Sequence, residues 1–362
     1  MRIAMVGSRG IPTRTGGVER VVENLASELR ARGHDVLVYA RRYYVAGAGE
    51  LPEGVIVTGG IRSKHLDTIT HTATAMFDLL RRKADVVHVH SPAPALLSWV
   101  PAAARLPVVL TVHAPDWRRD RWSLPARAVL RAGLACGMKL ARAVTAVSQP
   151  LADELAARYG RHVHYVPNGV PAAEPQPARL IRRWGLREDG YVLNVGRIVP
   201  EKRLDLLLRA WPDARDDRPL VVVGDEAEPA YARRCRRLAD GHNVMFLGAQ
   251  SGQVLAELYS NAGLVVQPSA LEGMSMVLLE AAAYGRCVLA ADIPENRLPL
   301  ENCALYFTMD DPDELAAQVH RCLGEADTRC AYGRAAQARA RELSVSSQAD
   351  RMEELYGKVL GL

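Results

Sequence analysis

The sequence predicts an α/β protein with two parallel-sheet domains in tandem. Short apolar segments rich in β-branched residues alternate with helical segments along nearly the whole chain. This alternation is typical of parallel sheets covered by helices on both faces. The chain has 362 residues, more than one ordinary core accommodates, and the alternation restarts after a proline-rich segment.

The N-terminal domain is predicted to span residues 1–170. It opens with a strand at 3–6, a glycine-rich loop, and a helix at 18–32 that has one apolar face and ends at Gly33. Further strands are predicted at 36–39, 86–89, 108–112 and 143–147.

A linker and a second domain are predicted to follow. Three prolines mark residues 171–178 as the linker, and residues 179–345 repeat the alternation. Residues 346–362 form a helix with one apolar side. Strands are predicted at 191–195, 220–223, 244–247, 264–267 and 287–290.

Composition argues against several classes of protein. A net charge of +5 is too small to favour nucleic-acid binding, and no apolar segment is long enough to span a membrane. The six cysteines lack zinc or Cys-x-x-Cys spacing, so we expect reduced thiols and a cytoplasmic protein. Asp311-Pro312-Asp313 resembles a metal-binding pair of acids but fits a helix start better. We therefore expect neither a metal ion nor a cofactor.

The strongest chemical motif follows the predicted strand at 264–267. Glu272 lies in a glycine-bearing turn, and Glu280 lies inside the next helix. Free N–H groups at that helix N-terminus suit hydroxyls or an anion, and the second carboxylate could hold a ribose diol. The alternative is a surface cap followed by an ordinary helical glutamate. The residues predicted at the helix N-terminus are Gly273, Met274, Ser275 and Met276.

A second motif follows the predicted strand at 191–195. Gly196 permits a tight turn, and Arg197 and Lys202 lie on a loop that leads into a helix. Two cations converging there suit a diphosphate. The alternative is a solvated basic loop.

Together these motifs resemble the signature of family 4 glycosyltransferases, which have the GT-B fold. The resemblance covers nearly the whole chain. Segments around residues 10–19, 115–117 and 292–297 resemble a subgroup of bacterial polysaccharide-building and rhamnosyltransferase-like enzymes. The matching motifs are Gly16-Gly17, Thr111-Val112-His113, Pro167-Asn168-Gly169-Val170, Gly196-Arg197…Glu201-Lys202 and Glu272-x7-Glu280.

The resemblance implies two Rossmann-like domains facing a central cleft, with the acceptor on the N-terminal side. The last helix would return to the first domain. In the second domain, Arg197 and Lys202 would bind the diphosphate of a nucleotide-sugar donor, and Glu280 would hold its ribose. Glu272 and the backbone of residues 273–276 would hold hydroxyls of the donor sugar.

In the first domain, the resemblance gives roles to three further residues. His113 would reach the donor sugar, although a lone histidine after a buried strand is more often structural. Gly16 and Gly17 would let the first loop approach the donor phosphate and the acceptor. His88 and His90 are expected to be structural.

The resemblance further implies transfer of a sugar with retention to a hydroxyl acceptor: a glycan, a lipid-linked glycan or a small molecule. Two alternatives remain open, a nucleotide-sugar epimerase of the same fold and a non-catalytic nucleotide-sugar-binding protein. A dinucleotide-dependent oxidoreductase is not expected, because the first loop lacks Gly-x-Gly-x-x-Gly spacing.

Residues 118–142 form a basic segment, with Trp117 directly before it and Trp122 within it. We favour an ordinary amphipathic surface helix, and the alternative is peripheral contact with the inner membrane face for a lipid-linked acceptor. Asp116 and Trp117 are further candidates for the acceptor side.

Overall fold

The computed structural model describes residues 1–47, 49–61, 63, 66–119, 122–214 and 217–362. Contacts divide the chain into two compact units, residues 1–169 with 345–362, and residues 170–344. Residues 171–178, expected to be a linker, belong to the second unit. Within this segment Gln176 N donates to Ser260 Oγ (2.9 Å) and Gln176 O accepts from Asn261 Nδ2 (2.9 Å).

The first unit contains a seven-stranded parallel sheet. Its inner strands are short, mostly apolar runs that are buried on both faces, as parallel strands between helices must be, whereas the two edge strands are only partly buried. They are β1 (Arg2–Val6), β2 (Asp35–Arg41), β3 (Val55–Thr58), β4 (Val86–His90), β5 (Val108–Val112), β6 (Ala143–Ala146) and β7 (His164–Tyr165), in the order β3-β2-β1-β4-β5-β6-β7.

Helices cover both faces of this sheet. The first helix buries the stripe Val21, Val22, Leu25, Ala26 and Leu29, which recurs at helical spacing. The helices are α1 (Gly17–Ala31), α2 (Arg42–Val45), α3 (Asp67–Leu79), α4 (Pro92–Ala95), α5 (Trp99–Ala103), α6 (Leu124–Leu140) and α7 (Gln149–Tyr159).

The second unit contains a six-stranded parallel sheet of the same kind. Its strands are β8 (Val192–Val195), β9 (Leu220–Val223), β10 (Val244–Phe246), β11 (Leu264–Gln267), β12 (Val288–Ala291) and β13 (Leu305–Phe307), in the order β10-β9-β8-β11-β12-β13. Its helices are α8 (Leu204–Ala210), α9 (Pro229–Ala239), α10 (Gly252–Ser260), α11 (Met276–Ala283), α12 (Pro294–Leu300), α13 (Pro312–Gly324) and α14 (Ala326–Glu342).

The last helix, α15 (Val345–Leu360), belongs to the first unit. Met352, Leu355 and Tyr356 pack in the same apolar cluster as Leu25 of α1 and Ile3 of β1. Helix α15 therefore covers the sheet face that α1 also covers.

Each sheet has one point where the strand order reverses. In the first it lies between β1 and β4, and in the second between β8 and β11. Loops leaving the carboxyl ends of such neighbouring strands diverge, and the crevice between them is where open α/β sheets bind ligands. Each unit thus has one place, at the carboxyl edge of its sheet, that is suited to a ligand-binding site. Within the part of the chain that the structure describes, no helix is long and apolar enough to cross a membrane.

Candidate functional site

The carboxyl edge of the second sheet brings the two predicted motifs together. The loop after β8 carries Arg197 and Lys202, and the loop after β11 carries Glu272, so the two loops flank the reversal point. A backbone hydrogen bond joins them, from Ala270 N to Glu201 O at 3.0 Å. The fold therefore holds these motifs against each other.

Lys202 and Glu272 form an ion pair in this edge. Lys202 Nζ lies 2.5 Å from Glu272 Oε1, and the side chains are 20% and 9% exposed. Gln267, the last residue of β11, donates to the same oxygen at 3.2 Å. An ammonium has three N–H donors, so Lys202 retains donors for a second anion beside Glu272.

Arg197 is a cation of this edge that has no partner among the described residues. Its side chain is half-buried, and none of the described residues hydrogen-bonds to or pairs with its guanidinium. The turns that contain Gly196 and Gly224 approach each other closely, since a Cβ on Gly224 would lie 1.8 Å from Gly196 O. The position of Arg197 depends on this close approach. A planar, half-desolvated fork without a counter-ion is suited to a phosphate.

Glu280 lies on α11 and is oriented by a buried tyrosine. Tyr259 of α10 donates to Glu280 Oε2 at 2.9 Å, and its ring stacks on Tyr284 at 5.7 Å between centroids. A carboxylate has about four acceptor positions, so a bond from Tyr259 is compatible with further bonds from a diol.

The N-terminus of α11 carries a buried hydroxyl without a partner. Ser275 occupies the N-cap position and is 2% exposed, but no described residue hydrogen-bonds to its Oγ. Met276 begins the helix, and Gly273 and Met274 precede it. These residues lie at a helix end whose N–H groups suit an anion or hydroxyls.

In the first unit, the predicted glycine loop surrounds a buried ion pair. Arg9 Nε lies 3.1 Å from Glu19 Oε1, and Glu19 is 6% exposed. Burial acts to raise the pKa of Glu19, but the charge and hydrogen bonds of Arg9 outweigh it, and the pKa lies below its ordinary value. Gly16 has φ 108°, and a Cβ there would lie 2.0 Å from Glu19 Oε2. The positive φ of Gly16 therefore favours glycine there, and Gly17 begins α1.

His113 follows β5 at the carboxyl edge and contacts a second histidine. Its Nε2 lies 3.0 Å from Nδ1 of His90, the last residue of β4. Burial lowers the pKa of His113 to about 4, against an opposing effect of the Glu19 carboxylate. Burial, with smaller effects of His88 and His113, also lowers the pKa of His90 well below its ordinary value. Both rings are neutral at pH 7.

Both ring nitrogens of His88 have hydrogen-bond partners. Its Nδ1 lies 2.7 Å from the Tyr356 hydroxyl, and its Nε2 lies 2.6 Å from Thr111 Oγ1, which in turn meets Thr145 Oγ1 at 2.6 Å. Burial lowers the pKa of His88 to about 3. His88 is thus a satisfied structural histidine, as the sequence predicted.

The structure describes most of the basic segment. Trp117 is 4% exposed and packs in the core, so it adds little to a surface patch, and the acceptor-side role of Asp116 and Trp117 stays a prediction. Arg118 and Arg119 are paired with Glu154 and Asp116 at 2.7 and 2.8 Å. These pairs reduce the positive charge that the sequence suggested, while Asp120 and Arg121 lie outside the described residues.

The predicted helix start at Asp311 is confirmed. Asp311 Oδ1 accepts from Glu314 N at 2.9 Å, and Pro312 is the first residue of α13. Among the described residues, no group of three or more His, Cys, Asp or Glu side chains could hold a metal ion.

Sequence reasoning missed four residues that shape these edges: Gln267, Tyr259, Glu19 and Arg9. It also assigned His90 a structural role without its contact to His113. Gln267 and His90 share a signal that was available, since each is a polar residue at the carboxyl end of a mostly apolar strand. Tyr259 and Arg9 act through contacts distant in sequence and left no such signal.

Comparison with protein families divides the chain as its two sheets do. Residues 15–174 match "Glycosyltransferase Family 4", and residues 189–325 match "Glycosyl transferases group 1". The two matches together cover both candidate edges.

Individual relatives extend over almost the whole chain. The phosphatidyl-myo-inositol mannosyltransferase of Mycolicibacterium smegmatis is 28% identical, covering 100% of this chain and 95% of its own. A GDP-mannose-dependent alpha-mannosyltransferase of Mycobacterium tuberculosis is 29% identical, covering 88% of each.

Among solved structures, Anabaena Alr3699/HepE in complex with UDP and glucose is 20% identical, covers 99% of this chain and 100% of its own, and has a TM-score of 0.82. Sucrose-phosphate synthase from Thermosynechococcus elongatus is 20% identical, covers 99% of each chain, and has a TM-score of 0.81. These structures share the fold of this chain.

Proposed function

Because the chain belongs to glycosyltransferase family 4 and has the GT-B fold, we propose that it transfers a sugar from a nucleotide-diphosphate donor to a hydroxyl acceptor, with retention at the anomeric carbon. The observation that carries the donor assignment is the second carboxyl edge. There Arg197, which has no partner among the residues that the structure describes, and Lys202, which retains N–H donors, flank the reversal point of the sheet.

The charges of this edge suit a pyrophosphate bound beside a pentose. Arg197 offers a bidentate fork and Lys202 a point charge, and together they would neutralise the leaving diphosphate as the glycosidic bond breaks. Glu280, oriented by Tyr259, would accept from the ribose hydroxyls. Solved structures of the same fold contain UDP, and a relative uses GDP-mannose, so the base and the donor sugar are matters for experiment.

We propose a binding role for Glu272 and the α11 N-terminus. Glu272 is bonded to Lys202 and Gln267, which suits a carboxylate that orients groups better than one that attacks an anomeric carbon. The unpartnered Ser275 hydroxyl and the N–H groups of residues 273–276 would meet hydroxyls of the donor sugar.

Retention then follows from front-face transfer. The departing diphosphate would take the proton of the acceptor hydroxyl while the new bond forms on the same face. Arg197 and Lys202 would stabilise this transition state by position and charge. We expect turnover to survive chelation with EDTA, because the two side-chain cations take the place of a metal ion. Loss of activity on chelation would contradict this.

In the first unit we propose that His113 contacts the donor sugar as a neutral hydrogen-bonding group, since burial lowers its pKa to about 4. Gly16 and Gly17 would place the first loop close to the donor. The polysaccharide-building, rhamnosyltransferase-like subgroup stays a prediction, as does the identity of the acceptor.

A thermal-shift screen tests the donor assignment. UDP-, GDP-, ADP- and dTDP-sugars are added to the wild type, to Arg197→Ala, and to a control, Arg334→Ala, which removes an exposed cation on α14. A donor at 100 times its Kd stabilises the fold by about 2.7 kcal/mol, so one class of nucleotide sugar should raise the Tm of wild type and control. Arg197→Ala should lose most of that shift.

Product analysis with the bound donor separates the remaining alternatives. A new glycoside with retained configuration supports the proposal. An epimerised sugar would indicate an epimerase, and binding without any product would indicate a binding protein.

Membrane contact through α6 is a second proposal, favoured by one observation. Leu124 is 80% exposed and Val129 39% exposed, on a helix that contains Arg127, Arg131 and Lys139 but no acidic residue. Co-sedimentation with anionic vesicles at low salt tests it. Leu124→Glu should weaken sedimentation, and failure of the wild type to sediment would remove the proposal.

A further inference from the structure

Two buried histidines meet at the carboxyl edge of the first sheet. His90 ends β4, and His113 follows β5, the strand paired with β4. Their rings lie 5.3 Å apart at 26°, with His90 Nδ1 and His113 Nε2 separated by 3.0 Å. His90 is 1% exposed and His113 6% exposed. Their mutual hydrogen bond is therefore shielded from water.

A count of protons limits this pair to two arrangements. Two neutral imidazoles carry two N–H groups, of which one lies in the shared hydrogen bond. The other must be on His113 Nδ1 or on His90 Nε2, and no described residue hydrogen-bonds to either atom. Which ring donates in the shared bond thus decides whether His113 Nδ1 is a donor or an acceptor.

Burial favours one of these arrangements. His90 Nε2 belongs to the more buried ring, whose centroid lies 4.0 Å from that of His88. His88 uses both of its own nitrogens on Tyr356 and Thr111. An N–H left unpaired beside it would cost about 1–3 kcal/mol with or without ligand, whereas an N–H on His113 Nδ1, which also lacks a described partner in the free protein, would be satisfied when the proposed donor sugar binds.

We propose that His90 is a positioning residue whose Nδ1–H donates to His113 Nε2, which holds the proton of His113 on Nδ1 and makes that atom a fixed donor toward an oxygen of the donor sugar. The inference rests on the proposed role of His113. Its physical consequence is preorganisation, because a donor whose tautomer and ring orientation are set before binding needs no rearrangement during transfer.

Nitrogen NMR of the substrate-free protein shows directly which ring nitrogens carry protons. In protein labelled with 15N-histidine, long-range 1H–15N correlations identify the protonated nitrogen of each ring, and His113→Gln assigns the His113 signals. We expect a single Nδ1–H tautomer in the wild type and a mixture or the Nε2–H tautomer in His90→Leu. A wild-type His113 protonated on Nε2, or one unchanged by His90→Leu, overturns the inference.

Kinetics with a conservative variant separates positioning from packing. The amide nitrogen of His90→Asn takes roughly the place of Nδ1, so this variant should retain most of kcat and the Nδ1–H tautomer. His90→Leu should lower kcat by about tenfold or more, with unchanged affinity for the nucleoside diphosphate. Because the two residues act as a unit, adding His90→Leu to His113→Ala should lower kcat no further.

Failure of this inference is distinguishable from failure of the proposed function. Normal turnover in His113→Ala would refute the proposed role of His113. Slow turnover in His113→Ala with normal turnover in both His90 variants would overturn the positioning role alone. Equal losses in His90→Asn and His90→Leu, with the His113 tautomer unchanged in both, would assign His90 to packing.

Discussion

The carboxyl edges of the two sheets share a topology and differ in chemistry. Both are reversal points of doubly wound parallel sheets. The second carries charges: Arg197, for which the described part of the chain offers no partner, the Lys202–Glu272 pair and Glu280. The first presents His90 and His113, both neutral, while its charged residues Arg9 and Glu19 form an ion pair with each other.

The difference shows how one architecture suits two kinds of ligand. The cations at the second edge, Arg197 and the Lys202 ammonium with its remaining N–H donors, gain most from an anion, and neutral donors and acceptors at the first edge gain most from hydroxyls. Residues at the strand ends and in the loops beyond them determine this difference, since the strands of both sheets are otherwise mostly apolar.

Removal of the lysine at the charged edge should have the largest effect. Lys202→Ala should lower turnover by about 10²–10³-fold, because the leaving diphosphate loses a fixed cation. The measurement is initial-rate kinetics with the donor found by screening, alongside the Tm and the control Arg334→Ala.

The double variant Lys202→Met with Glu272→Gln separates the ion pair from catalysis. Lys202→Met alone leaves the Glu272 carboxylate without its cation and should lower the Tm. The double variant removes both charges, so its Tm should be higher than that of Lys202→Met. Turnover should stay low. Recovery of turnover together with the Tm would show that Lys202 only balances Glu272.

Glu280 should have a smaller effect, confined to the donor. Loss of charged hydrogen bonds to the ribose costs about 1.5–3 kcal/mol, so Glu280→Gln should raise the donor KM by about 10–100-fold. Tyr259→Phe removes only the bond that orients the carboxylate and should raise KM less. An unchanged KM in Glu280→Gln, or equal losses for donors with and without the ribose hydroxyls, would contradict the assignment.

The buried histidines of the first unit should make its stability more sensitive to acid than that of the second unit. Burial lowers the pKa values of His71, His88 and His113 to about 4, 3 and 4. Between about pH 6.5 and pH 4 the unfolded chain therefore binds more protons than the folded unit. Stability is present above pH 6.5 and should fall by roughly 1.4 kcal/mol per pH unit for each such histidine as pH decreases.

Hydrogen exchange measured by peptide resolves this effect by unit. Protection of strands in residues 1–169 should fall between pH 7 and pH 5 after correction for intrinsic exchange rates. Residues 170–344 contain only His242 and His320, both exposed, and should change less. Equal losses in both units would contradict the contrast.

The sequence predicted the ends of most strands to within one or two residues, because apolar, β-branched runs recur between helices. Strands β3, β7 and β13 escaped prediction. Each has only two to four residues, and each depends on pairing with a distant neighbour more than on its own pattern.

Motif residues were easier to place than their partners. Lys202 and Glu272 lie in loops that follow apolar strands, so topology alone brings them to one edge. Contacts such as Tyr259 with Glu280, and the packing that buries Trp117, depend on which helix faces which and left no periodic signal.

Calorimetric titration with a nucleoside diphosphate tests the central claim most directly. It compares the wild type, the double variant Arg197→Ala/Lys202→Ala, and Arg334→Ala, using the base chosen by screening and the parent nucleoside as a phosphate-free ligand. Affinity for the diphosphate should fall at least tenfold only in the double variant, with the nucleoside unaffected. Equal diphosphate affinity in all three proteins would contradict the account.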